Sequence, residues 1–118
     1  MPRSPLRLKR RDQFVAVARS GRKVPADGFA MQALPRPDGY PTRVGYTATK
    51  KLGNSVVRNR ARRRLREVAR LALAERARPS ADIVLIGRPA TLTLPFPRLL
   101  AAFHGALDRL AQLSEPGR

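Results

Sequence analysis

Apolar residues recur with two different periods along this 118-residue chain. Val57, Ala61, Leu65, Val68 and Ala72 fall on one side of a helix at about 100° per residue. That helix is predicted from a turn at Gly53–Asn54, with Asn54 or Ser55 as cap, to about Glu75. Arg10–Arg19 reads as an earlier helix, with Phe14, Val15, Val17 and Ala18 as its apolar residues and Gly21 as its stop. Pro95–Leu113 forms a last one, packing Phe96, Leu99, Leu100, Phe103, Leu107 and Leu110, with Pro97 in its first turn.

Elsewhere the period is two. Arg43–Thr49 sends Val44, Tyr46 and Ala48 one way and Arg43, Gly45, Thr47 and Thr49 the other. Phe29–Leu34 is a second strand, with Phe29, Met31 and Ala33 on one face. Ile83–Ile86 is apolar throughout, which marks a central strand buried on both faces. Pro35–Pro41 is dense in turn residues and reads as a loop between strands. These elements predict an α/β (α+β) two-layer sandwich. One small central sheet carries three helices in the order α-β-β-β-α-β-α. Residues 1–118 form a single domain, with 1–8 as a flexible basic arm and 114–118 as a frayed tail.

Charge changes the picture. The chain holds 25 basic and 8 acidic residues, a formal +17. Such self-repulsion opposes a compact state unless a polyanion is near. The charge concentrates in Lys50–Arg70, where Lys50, Lys51, Arg58, Arg60, Arg62, Arg63, Arg64, Arg66 and Arg70 surround one acid, Glu67. Asn59, Arg62, Arg63, Arg66 and Arg70 lie opposite the apolar stripe. Arg62–Arg66 and Arg66–Arg70 repel at i,i+4 by a few tenths of a kcal/mol. Arg58 and Arg60 oppose the positive end of the helix dipole. Phosphates at that end turn both penalties into gains. A solvated charged face is the plainer reading, but it lacks the interspersed acids. An anionic membrane surface fits poorly, because the opposite face is small rather than Trp/Phe/Leu-rich.

Nucleic acid is therefore the expected partner, and the pattern separates RNA from DNA only weakly. A structural RNA-binding protein, such as a ribosomal protein, and a duplex-DNA binder both stay open. With no cysteine, disulfides and Cys-based metal sites are excluded. No apolar run approaches a membrane span, and no secretory signal is visible, so a cytoplasmic location is the default expectation. The eight acids are scattered singly, and none pairs at the spacing a two-metal nuclease needs. The one histidine, His104, stands at i,i+4 from Asp108, where a surface hydrogen bond is its expected role.

The segment RVGYTATKKLGNSVVRNRARRRLRE, Arg43–Glu67, resembles the signature of the bacterial ribonuclease P protein component. It has a strand of small residues, a Lys-Lys pair, Gly-Asn and an Arg-Asn-Arg box followed by spaced arginines. The resemblance extends over nearly the whole chain. It implies a left-handed βαβ crossover through the basic helix, against the usual rule. It also implies a small cofactor of a catalytic RNA. That ribonucleoprotein removes the 5′ leader from precursor tRNA by metal-assisted hydrolysis, and the RNA supplies the active site. Magnesium would be held mainly by the RNA, with one protein per RNA and no membrane involved.

Carried over by position, Arg58, Asn59, Arg60, Arg63 and Arg66 would contact the RNA subunit. Lys50, Lys51, Arg62 and Arg70 extend that patch. Phe14, Arg43, Thr47, Thr49 and Arg88 would face a cleft for the single-stranded leader. Relatives often place aromatics where this chain has Ala18 and Gln32, which shifts leader binding here from stacking toward charge.

Overall fold

The computed structural model describes residues 5–37 and 39–114. The chain runs β1 (Leu6–Arg7), α1 (Arg11–Ser20), β2 (Arg22–Val24), β3 (Phe29–Pro35) and β4 (Arg43–Thr47). After a single 3-10 turn at Lys50–Leu52 come α2 (Ser55–Ala74), β5 (Ala81–Gly87), α3 (Pro89–Thr93) and α4 (Phe96–Ser114). One mixed sheet forms in the order β1-β4-β5-β3-β2. β5 pairs parallel to β4 and antiparallel to β3. Its unbroken apolar run earns the central place: Ile83 and Leu85 join the core on one face, Val84 and Ile86 the cluster on the other.

The larger core lies between the sheet and the pair α2 and α4. Leu65, Val68, Leu73, Leu99, Phe103 and Leu110 close over Met31, Val44, Ile83 and Leu85. Phe29 and Phe103 meet edge to face with centroids 6.3 Å apart. α1 sits alone on the opposite face, where Val17 is fully buried with Leu8 and Val84. The two-layer sandwich thus gains a partial third layer. Phe14 packs there directly over Gly45, where a Cβ would stand 2.4 Å from the Phe14 ring. The small residue at 45 is what lets α1 approach β4 so closely.

Three differences separate the structure from the sequence-based expectation. Residues 5–8 are not a free arm: Leu6 and Arg7 pair parallel with Arg43 and Val44, and Leu8 is buried. Residues 1–4 and 115–118 lie outside the described residues. The three strands expected between the first and the basic helix are present, the unplaced one being β2, three residues long and held by β3. A fourth helix, α3, follows β5, because Pro89 begins a turn in which Thr91 caps the Arg88 backbone N–H at 3.0 Å. β4 stops at Thr47, two residues short of its expected end.

Candidate nucleic-acid interface

α2 starts where Asn54 accepts a hydrogen bond from the Val57 backbone N–H at 3.0 Å, and no acid occupies its first turn. Ala61, Leu65, Val68, Ala69, Ala72 and Leu73 are buried against β4, β5 and α4. At about 100° per residue, the remaining side chains divide into two flanks. Arg66 leans toward β4, its guanidinium 5.9 Å from the Tyr46 ring centroid, and Arg62 and Arg58 precede it by one and two turns on that flank. Burial pushes the Tyr46 hydroxyl up to about 12. Arg60, Arg64 and Glu67 lean toward α4, where a hollow of about 350 Å³ lies among Arg60, Arg63, Arg64, Glu67 and Phe96.

These side chains are not equally available. Arg64 turns inward and donates to the Leu94 carbonyl, bracing α2 against the α3–α4 link. Arg58 is half-buried, with its Nε lacking a hydrogen-bond partner. Arg62 donates to Asn59 Oδ1 at 2.7 Å. Arg70 pairs with Glu67, which holds that carboxyl below its usual range and raises the guanidinium. Arg60 and Arg63 are exposed and make no hydrogen bond or ion pair within the described residues. Lys50 and Lys51 sit exposed on the 3-10 turn that leads into the helix.

The second group divides along the strands. Thr47 lies in register with Ile86, and Ile86 with Ala30, on the face that α1 covers only in part. Thr49 and Arg88 line one hollow of about 130 Å³ with Lys51, Leu52, Gly87 and Pro89. A larger cavity of about 410 Å³ is bordered by Lys23, Ala30, Gln32, Ile86 and Arg88. Phe14 is half-buried against the sheet. Arg43 lies four residues back along β4, about 13 Å from Thr47. It donates to both carboxylate oxygens of Asp82, at 2.8 and 2.7 Å. Thr49 and Arg88 are therefore brought together, with Thr47 two residues before Thr49 beside Ile86, while Arg43 is held at the other end of the strand. Sequence reasoning missed Lys23, which sits on a strand too short to show a period. It also missed Asp82 as the partner of Arg43, 39 residues away, for which the sequence carries no local signal.

The ribonuclease P family model matches residues 1–111. The chain belongs to the bacterial ribonuclease P protein component family. It is 52% identical over 103 residues to the ribonuclease P protein component of Gluconacetobacter diazotrophicus, covering 87% of this chain and 85% of that one. With the component from Symbiobacterium thermophilum it shares 44% over 111 residues, covering 94% and 96%. The Staphylococcus aureus RNase P protein has the same fold, with a TM-score of 0.71 at 23% identity over 92% of this chain and 97% of that one. The Thermotoga maritima RNase P protein superposes with a TM-score of 0.64 at 22% identity over the same shares.

Within this ribonuclease P protein, no three His, Asp or Glu side chains converge as metal ligands among the described residues. His104 does not bond Asp108. Arg76 stands between them, donating to Asp108 at 2.7 Å and to the His104 carbonyl at 3.2 Å. The His104 Nε2 faces Glu75 at 3.5 Å instead. This cluster ties the end of α2 to α4. Among the described residues, no helix is long and apolar enough to cross a membrane.

Proposed function

We propose that this chain is the non-catalytic protein subunit of a ribonuclease P that removes the 5′ leader from precursor tRNA. The observation that carries this reading is the outer side of α2. Arg60 and Arg63 lie there without partners among the described residues, on a helix whose other side is packed. Arg58, Asn59, Arg62, Arg66, Arg70, Lys50 and Lys51 complete a surface that fits the phosphates of the catalytic RNA. If about six phosphates are neutralised, log affinity falls with log salt at a slope near −4 for single strands and −5 for duplex.

The open part of the α1 face takes the single-stranded leader. Thr47 and Arg88 border it, with Thr49 just past the end of β4, Phe14 at its margin and Arg43 at the far end of β4. Gln32 and Ala18 offer no stacking surface, so charge and backbone contacts dominate. Among the described residues no acids gather as a metal site, and in this reading magnesium and the hydrolytic step are assigned to the RNA. The protein raises affinity for precursor over mature tRNA and lowers the magnesium demand. One protein binds one RNA, in the cytoplasm.

Reconstitution tests this directly. With a bacterial ribonuclease P RNA at low magnesium, the chain is expected to stimulate leader cleavage and to cleave nothing alone. Failure to stimulate, or cleavage by RNA-free protein, overturns the reading.

A further inference from the structure

The chain has six aromatic residues. Phe29, Tyr46 and Phe103 are buried, and Phe14 and Phe96 are half-buried. Tyr40 is the sole exposed aromatic, at 48%. It stands on the β3–β4 loop, at the opposite end of β4 from Thr49 and Arg88. Its position is built. The Tyr40 backbone N–H donates to the Pro37 carbonyl at 3.2 Å, across a turn in which Gly39 takes φ +90°. Pro41 restricts its backbone from the other side.

One face of the ring rests on a cation. The Arg36 guanidinium lies 4.5 Å from the ring centroid. Arg36 is itself fixed twice: its backbone N–H donates to the Ser80 carbonyl at 2.8 Å, and its guanidinium stands 3.6 Å from Asp82. Asp82 is buried and held by Arg43. An aromatic ring is thus pinned at a loop tip on a strongly basic protein, with little hydrophobic gain from being there. A ring pre-placed on a fixed cation loses little entropy when a second flat group covers it.

We propose that Tyr40, backed by Arg36, is a stacking platform for one unpaired base of the RNA bound by this protein. Base stacking on an aromatic side chain tolerates any sequence, since every base has a π-face. The base comes either from the catalytic RNA or from the leader, and the same chemistry serves both. The inference rests on the reading that the chain binds RNA, and not on where the leader lies.

The chain has no tryptophan, so Tyr40→Trp installs a single reporter at the platform. Its emission is followed on assembly with ribonuclease P RNA, then on adding precursor or mature tRNA. A change on assembly assigns the base to the catalytic RNA. A change with precursor but not mature tRNA assigns it to the leader. No change in either step, with both complexes demonstrated by gel shift, overturns the platform. Tyr40→Leu keeps the bulk and removes the π-face. It is expected to weaken binding of the responding RNA by roughly 5- to 150-fold, with Tyr40→Phe close to the parent. A loss under twofold for Tyr40→Leu also overturns it. Leader cleavage by the reconstituted parent reports on the proposed function separately.

Discussion

At the start of β5, Arg36 and Arg43 converge on one buried carboxylate, Asp82, which is 5% exposed. On the outer side of α2, Arg60 and Arg63 face solvent and pair with no acid among the described residues, because nearby Glu67 is taken by Arg70. The residue type is the same and the consequence differs. In the first region the guanidiniums are ligands of the fold, linking the ends of β3, β4 and β5. In the second they add only repulsion to the free protein. Formal charge therefore overstates what is offered to a partner, because part of it is already neutralised internally.

That contrast breaks most visibly at its buried centre. Asp82→Ala leaves two partly buried cations uncompensated and is expected to cost about 3 kcal/mol, read as a lowered denaturant midpoint. If stability is unchanged, the paired cluster is not part of the fold's support. Gly45→Val drives a side chain into the Phe14 ring, and an overpacking cost of about 1–3 kcal/mol is expected in the same measurement. The exposed region should behave in the opposite way. Arg63→Ala is expected to shift stability by less than about 0.5 kcal/mol while weakening RNA binding and reducing the salt slope by about 1. Unfolding by Arg63→Ala with RNA affinity intact would reverse the comparison.

The Glu67–Arg70 pair lies between the two extremes and gives the smallest effect. Arg70 holds the Glu67 carboxyl below its ordinary value. The pair's contribution is therefore present above the unfolded carboxylate pKa and is lost as pH falls through the folded one. Thermal melts of the parent and of Glu67→Gln are expected to differ slightly at neutral pH and to converge in acid. A gap that widens on acidification would show that the sign is wrong.

Where a segment decides its own structure, the sequence could be read. The stripe from Val57 to Ala72 seats α2 as its spacing predicts, and Leu73 and Ala69 only widen it. The alternation of Val44 and Tyr46 against Gly45 and Thr47 sorts β4 onto two faces as expected. β1 could not be seen that way, since two residues carry no period and their strand geometry comes from Arg43 and Val44. The same holds for Arg43 itself. Alternation places it on the polar face of β4, but its partner Asp82 lies on a strand that only the folded sheet brings alongside. Val15 turns outward on α1, 41% exposed, because the helix lies alone on its sheet face and buries little more than Val17. Tyr40 carries no sequence signal for a related reason: a loop aromatic has no periodic neighbours to mark it.

The central position of β5 orders the making of the molecule. β3 and β4 do not pair with each other; the strand that separates and joins them is translated only after α2 is complete. A growing chain that has reached Ala74 therefore has an arginine-rich helix in hand and no finished floor to set it on. Until Gly87 emerges, only the β1–β4 and β2–β3 halves of the floor can pair, and β5 is the strand that joins them.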